Sequence, residues 1–356
     1  MARRSIISMD VHCQETVIVV MTETGRVTRR ERRPTSIQAF REVVTEVRRP
    51  REVVLEEGPL ADWVIRNLSA EADAVVACEP RRNRLIAKDS DKDDPIDAEK
   101  LGHLYRGGYV KVVHHPESLE RLLFKDHVGL YHDRVRHRVR QANRIIGQLR
   151  RHGLIVRESA FADERKRRGL LATLPPSALL REDLNCLWEG YDAATQQEEL
   201  MRRRLVELAR KEPQIRRFQE LPGVGWIRAA TFYAYIDTPW RFRSKSALWK
   251  YLGIGLERRH SGQGVEQLHV PRYVHRYLKN AILGAAKSAV ATGNNPFADQ
   301  YWRYVTDHGL RARVARRSVA RSQAAVMWGM WKNGRAYEPA RVGVCSWMQT
   351  AAPLSP

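Results

Sequence analysis

Cysteine is scarce in this chain, and its few cysteines are far apart. Four are present among 356 residues, at positions 13, 78, 186 and 345, and none belongs to a CxxC pair. This argues against a structural zinc module or a disulfide framework and fits a reducing cytoplasm. No run approaches the ~20 apolar residues that a membrane-spanning helix needs, and no signal peptide is visible. We therefore expect a cytoplasmic protein that has no membrane partner.

Negative charge is the other shortage. The 41 acidic residues stand against 62 lysines and arginines, which leaves a formal net charge of +21, and arginine supplies most of the positive charge. Arginine grips phosphates with a planar, bidentate fork, so this balance is typical of a protein that binds a polyanion. An anionic membrane surface would instead require a basic amphipathic helix with bulky apolar anchors. The composition therefore favours nucleic acid as the partner.

The first third of the chain alternates between strand and helix patterns. Three apolar runs with a turn before the third predict a β-meander, and helical spacing then alternates with short buried strands. The predicted strands are 5–9, 16–21, 26–30, 53–55 and 74–77, and the predicted helices are 37–47 and 60–68. This order predicts an α/β domain with a mixed sheet.

A long basic helix follows at 119–149. Its apolar residues recur at spacings of three and four, which predicts a coiled-coil seam that needs a partner helix and is able to join protomers. The seam residues are Val128, Tyr131, Val135, Val139, Ala142, Ile146 and Leu149. Its other face has no acid between Arg134 and Arg151, which favours nucleic-acid contact over a solvated charged face. We take Arg136, Arg140 and Arg144 as candidate contacts.

The rest of the chain has a mostly helical pattern. A proline pair at 175–176 interrupts it, and a basic helix resumes at 198–209. We predict an α/β domain, a helical connector, a mostly helical C-terminal domain and a tail, with the boundaries 1–115, 116–212, 213–340 and 341–356.

Acidic residues recur at the ends of the predicted elements. Asp10 ends the first apolar run, Glu56 and Glu57 follow the strand 53–55, and Asp94 and Asp97 begin a helix on one face. Strand alternation sends only one of the two glutamates inward. Paired divalent ions that act on phosphodiesters need such carboxylates, and the metal would be Mg²⁺ or Mn²⁺. The alternative for the last pair is a helix cap and a first-turn acid that complements the helix dipole.

The C-terminal part contains a glycine turn and a serine in a basic setting. Gly223 and Gly225 lie in Leu221-Pro222-Gly223-Val224-Gly225, which has the spacing of a helix-hairpin-helix turn whose following amides meet a backbone phosphate. Ser261-Gly262 follows further on, and a lone Ser-Gly is ordinarily a turn. The basic candidates around it are Arg258, Arg259, Arg272, Arg276 and Lys279.

These segments resemble the signatures of the DEDD transposases of bacterial insertion sequences. Met9-Asp10-Val11-His12, Glu56-Glu57-Gly58-Pro59 and Asp94-Pro95-Ile96-Asp97-Ala98 are similar to the family's three acidic motifs. The Pro-Gly-x-Gly turn, the Ser-Gly pair and Ala315 to Arg321 are similar to its C-terminal segments.

The resemblance implies a RuvC-like, RNase H-type N-terminal domain in which Asp10, Glu56, Asp94 and Asp97 bind the metal. Glu56 is preferred because the family's acid commonly stands two residues before the Gly-Pro, although Glu57 leaves the choice open. Ser261 takes the role of a nucleophile that forms a covalent phosphoserine link to DNA, and bound metal would activate it. The implied partners are the DNA of the element ends and the target, a guide RNA and further protomers in a dimer or tetramer. The implied location is the bacterial nucleoid.

Two other functions remain open at this point. The first is a RuvC-like structure-specific nuclease or resolvase that uses the acids alone, and the second is a non-catalytic nucleic-acid-binding repressor. Metal-dependent cleavage separates the repressor from the two enzymes. A covalent protein–DNA adduct separates the transposase from the nuclease.

Overall fold

The computed structural model describes residues 4–80, 94–259, 267–269 and 274–342, with 94–95, 257–259, 267–269 and 341 described by their backbone alone. The chain divides into two compact units, Met1–Ser118 and Leu119–Pro356. The finer division at 212 and 340 stays a prediction. The α/β character of the N-terminal part and the mostly helical character of the rest are confirmed.

The first unit is built on a six-stranded mixed sheet in the order β3-β2-β1-β4-β5-β6. The first three strands are antiparallel neighbours, β1, β4 and β5 run parallel, and β6 is antiparallel to β5. The strands are β1 Ser5–Val11, β2 Glu15–Thr22, β3 Val27–Pro34, β4 Arg51–Glu56, β5 Ala74–Cys78 and β6 Val112–Val113. The predicted strands are therefore confirmed, and the two-residue β6 was not predicted.

Helices cover both faces of this sheet. Helices α1 (Ile37–Glu46) and α2 (Ala61–Leu68) pack on one face, where Phe40 and Val64 meet Met9 and Leu55. Helix α3 (Asp94–Arg106) packs on the other face, where Ala98 and Leu101 join the core of Ile6 and Val54. Because both faces are covered, the central strands are continuous apolar runs.

The second unit is formed mainly by helices. Two long helices, α4 and α6, lie alongside each other, and the shorter helices that follow enclose a second large core. The helices are α4 Leu119–Arg151, α5 Glu164–Thr173, α6 Ala178–Lys211, α7 Pro213–Phe218, α8 Trp226–Ile236, α9 Lys245–Tyr251, α10 Arg276–Thr292, α11 Pro296–Thr306 and α12 Ala312–Asn333. Two short strands, β7 (Glu257–Arg259) and β8 (Gln267–His269), form an antiparallel pair that was not predicted.

The seam of α4 is covered by α6 of the same chain. Val128 shares a core with Leu205, and Leu149 shares another with Leu184, so the two helices run antiparallel. Val139, which was predicted in the seam, is 40% exposed instead. The partner helix that the seam needs is therefore supplied by the same chain, and a role of the seam in joining protomers stays a prediction. A homo-oligomer stays a prediction that depends on the chemistry of recombination.

None of the helices in the described ranges is long and apolar enough to cross a membrane.

Candidate active site and nucleic-acid interface

Two of the predicted acids stand at the same edge of the sheet. Met9 of β1 is opposite Leu55 of β4 in parallel register, so Asp10 and Glu56 each follow directly at the carboxyl ends of these neighbouring strands. Ile6 and Val54 face α3, and side chains alternate along a strand, so Asp10 and Glu56 face the α3 side too. The strand geometry thus places both carboxylates at the same edge and on the same face of the sheet.

The helix that carries the other two acids approaches the same edge. Gly102 packs so closely on the sheet that a Cβ there would lie 2.4 Å from Met21 Cε and 2.9 Å from Ser8 Oγ. Nearer the end of α3, Tyr105 is hydrogen-bonded to Glu52 at the start of β4, and burial together with this bond raises its pKa to about 12. Helix α3 therefore runs antiparallel to β1 and β4. Asp97, in the first turn of α3, lies about 7 Å along the helix axis from Gly102. Asp10 lies about 7 Å along β1 from Ser8, in the same direction.

The convergence of all four acids on one ion is not tested by these contacts. Within residues 4–80, 94–259, 267–269 and 274–342, no group of three or more His, Cys, Asp or Glu side chains is close enough to hold a metal ion. Asp97 is exposed, and the side chain of Asp94 lies outside the described residues. The four-carboxylate site therefore stays a prediction that depends on strand register and helix direction.

Glu57 has a different role from Glu56. Its Oε2 lies 2.8 Å from Nε2 of His115, whose Nδ1 lies 2.6 Å from Oδ1 of Asp62. Burial opposes protonation of His115, yet the two carboxylates raise its pKa, which allows both ring nitrogens to donate. Glu57 is thereby tied to the side of α2, away from the face of Asp10 and Glu56. Sequence reasoning missed His115, which belongs to no motif.

Two neighbours modify the surroundings of Asp10 and Glu56. His12 Nε2 lies 3.2 Å from Asp10 Oδ2, within the Met-Asp-Val-His motif itself. Cys78 is paired with Glu56 in the sheet, and burial together with the Glu56 charge raises the pKa of its thiol to about 12. The thiol is therefore neutral at physiological pH.

The predicted nucleophile Ser261 lies outside the described residues, as does Arg272. Arg258 and Arg259 are in β7, which pairs with β8, and only their backbone is described. Arg276 and Lys279 are in the first turn of α10, where Arg276 is exposed. The roles of these residues stay predictions.

The glycine turn joins α7 to α8. Gly223 has a φ of +79°, and a Cβ there would lie 2.3 Å from the Ala285 carbonyl oxygen of α10. Gly225 is the N-cap of α8, has a φ of −84°, and has open space around its Cβ direction. The first glycine is thus required both by its positive φ and by the close approach of α10, whereas neither condition applies to the second. Phosphate binding by a helix-hairpin-helix turn stays a prediction.

The arginine face of α4 divides into two groups. Arg138 is 20% exposed and is ion-paired with both Glu158 and Glu198, and Arg134 bonds to Asp133 and to Gln197 of α6. Arg136, which is exposed, pairs with Asp133 at 3.0 Å. Arg140 and Arg144 are also exposed. Acidic residues from other elements therefore neutralise part of the positive charge in the acid-free stretch of α4. Only its exposed arginines remain candidate contacts for nucleic acid.

The comparison with protein families agrees with these features. The family described as Transposase IS116/IS110/IS902 matches residues 215–303, and the DEDD transposases of the IS110 type match residues 7–153. The second match includes Asp10, Glu56, Asp94 and Asp97, and the two together cover about two thirds of the chain.

The class of protein is therefore a transposase, an enzyme that cleaves and recombines DNA. The chain belongs to the DEDD-type IS110 transposase family. A comparison with curated proteins gave no match.

Proposed function

We propose that this transposase cleaves and rejoins insertion-sequence DNA by metal-dependent phosphoryl transfer, with Asp10, Glu56, Asp94 and Asp97 as the metal ligands. The observation that carries the proposal is the register of β1 and β4, which gives Asp10 and Glu56 one edge and one face. Carboxylate oxygens are the donors that Mg²⁺ and Mn²⁺ prefer, so the donor chemistry fits the metal. When bound, the metal would neutralise charge on the scissile phosphate and activate the attacking oxygen.

The acids of this chain have distinct tasks in the proposal. Asp10 and Glu56 extend from a rigid sheet, which fixes their carboxylates before DNA arrives. His12 Nε2 donates to Asp10 Oδ2 and so orients the Asp10 carboxylate. Glu57 holds His115 and so anchors the turn that follows β4, which positions Glu56 without contacting substrate.

Ser261 is the proposed nucleophile, and a guide RNA is the proposed source of target choice. The serine Oγ would lose its proton, attack the phosphorus and form the Ser–O–P bond. The bond from phosphorus to the 3′ or 5′ oxygen of the cut strand would break, and that leaving oxygen would take up a proton to become a hydroxyl group. The family match at 215–303 includes Ser261 and supports this role. The basic residues around it, Arg258, Arg259, Arg272, Arg276 and Lys279, are proposed to hold the phosphate backbone.

The test is incubation of the protein with labelled element-end DNA, the RNA that flanks the element, and Mg²⁺, followed by a denaturing gel. We expect a protein–DNA adduct that EDTA abolishes and whose position on the DNA depends on the RNA. Ser261→Ala should remove the adduct while DNA binding is retained, and Ser246→Ala, an exposed serine of α9, is the matched control. Cleavage without an adduct would identify a nuclease instead, and binding without cleavage would identify a repressor.

A further inference from the structure

Helix α12 carries an unusual row of positive charge. Its 22 residues contain no Asp or Glu, and Arg313, Arg317 and Arg321 follow one another at intervals of four. Residues four apart lie on the same face of a helix, and like charges at that spacing repel each other. The row therefore opposes the formation of the helix that contains it, which suggests that another requirement maintains it.

The row extends from solvent into the protein. Arg313 is exposed, whereas Arg317 and Arg321 are half-buried. Burial and the neighbouring arginine lower the pKa of Arg317 and of Arg321 alike. Among the residues that the structure describes, no carboxylate forms an ion pair with any of the three. The guanidinium groups of Arg317 and Arg321 are therefore partly dehydrated, and no described carboxylate compensates their charge. Arg138 of α4, by contrast, is paired with two carboxylates.

Arg321 is held in place from two sides. Its Nε donates to the carbonyl oxygen of Ile254 at 2.7 Å, and its own carbonyl oxygen accepts from Trp249 Nε1 at 3.0 Å. Gln323, two residues on, donates to the Pro222 carbonyl oxygen in the glycine turn at 2.9 Å. The row is therefore fixed beside the segment that leads into β7, on a rigid helix that also supports the turn before α8.

We propose that Arg313, Arg317 and Arg321 form a binding row for the phosphodiester backbone of a nucleic-acid strand. The row spans about 12 Å along the helix, which several successive phosphates of one strand can follow. Guanidinium groups bind phosphates through two parallel hydrogen bonds, and a phosphate would supply the negative charge that no carboxylate in the described part of the chain provides. The proposal depends on the nucleic-acid binding of the proposed function, but not on its metal or its serine.

The test measures binding to a fluorescein-labelled random 30-base-pair DNA duplex, and to an RNA duplex of the same sequence, without metal and across a series of salt concentrations. Arg313→Gln/Arg317→Gln should reduce the slope of log affinity against log salt by about 1.4–1.8, which is 0.7–0.9 for each lost phosphate contact. Arg317→Lys retains the charge and should retain the slope. The single exposed change Arg313→Gln should reduce it by about half as much, and it does not disturb a buried contact.

The matched control removes the same charge elsewhere. Arg32→Gln/Arg33→Gln changes two arginines of β3 that are paired with Glu15 and Glu31. A slope that falls for the α12 variant on DNA or on RNA, but stays for the control, supports the row and identifies its ligand. Equal slopes for the wild type and both double variants on both nucleic acids would overturn it. Since no metal is present, this result is independent of the adduct assay.

Discussion

In the first unit, two of the proposed metal ligands stand at the ends of neighbouring strands, whereas in the second unit the candidate binding residues are distributed over helices far apart in sequence. Asp10 and Glu56 share an edge because β1 and β4 pair in register. Arg138 and Arg140, by contrast, differ by only two positions on α4 and have opposite surroundings, one ion-paired and one exposed. The sequence pattern at the end of a strand predicts which residues lie beside it in the sheet. The charge pattern of a helix does not predict its contacts, because the partners come from other elements of the chain.

The sharpest test within the first unit contrasts the adjacent glutamates. Glu56→Gln should lower adduct formation on the order of 10²–10³-fold, the scale for a group that stabilises charge in the transition state. Glu57→Gln removes the same charge but disturbs only the contact with His115, so its effect should be far smaller. Rates from the denaturing-gel assay check both variants. Equal losses of adduct formation in the two variants would mean that either glutamate can be the metal ligand.

The glycine turn provides the corresponding contrast in the second unit. Gly223→Ala should lower the free energy of unfolding by about 3 kcal/mol, because its Cβ collides with the α10 backbone at a positive φ. Gly225→Ala has open space and should change it by less than about 1 kcal/mol. Urea denaturation measures both. A Gly225→Ala protein that is stable yet binds DNA more weakly would support phosphate contact at the turn.

Two arginines of α4 distinguish structural from binding charge. Arg138→Gln should lower the free energy of unfolding by about 2 kcal/mol, between the values for exposed and buried ion pairs, and should leave the salt dependence of DNA binding unchanged. Arg140→Gln should do the reverse and reduce the salt slope by about 0.7–0.9. Denaturation and anisotropy titrations on the same two proteins separate the effects. A slope that Arg140→Gln leaves unchanged would make it an ordinary solvated residue.

Histidines set the two units apart in their response to pH. In the second unit, burial and nearby positive groups lower the pKa of His132 to about 4, and burial and Lys125 do the same for His275. What these two histidines contribute to the free energy of unfolding is complete above the pKa of an unfolded histidine, near 6.5, and is lost as pH falls toward 4. His115 in the first unit has a raised pKa, so its contribution is complete below about 6.5 and is lost as pH rises through that raised value.

Hydrogen exchange of each unit at pH 5 and pH 8 tests this difference. The second unit should be the less protected one at pH 5 relative to pH 8, by about 2 kcal/mol for each of the two histidines. His132→Phe keeps the stacking on Tyr277 at 4.5 Å but cannot be protonated, so it should reduce this pH dependence. A second unit with the same protection at both pH values would contradict the assignment.

Most of the first unit was predictable because period-two alternation and turn residues are local signals. The strands around Asp10 and Glu56 appear where the apolar runs stand, and the start of α3 appears where the proline follows Asp94. His115 was not predictable, since its partners are more than 50 residues away. The partner of the α4 seam was also missed, because apolar spacing indicates that a helix needs a partner but not which one. The β7–β8 pair is only three residues long on each side, too short for a periodic signal.

The central claim is that Asp10 and Glu56 belong to one divalent-metal site, and metal binding tests it most directly. Mn²⁺ titrated into the full-length protein without nucleic acid can be followed by electron paramagnetic resonance, with Asp10→Asn and Glu56→Gln compared with Glu57→Gln. We expect saturable binding in the wild type and in Glu57→Gln, and a loss of at least about tenfold in affinity in each of the other two, the lower end for disturbed metal sites. Identical Mn²⁺ binding by all four proteins would contradict the claim.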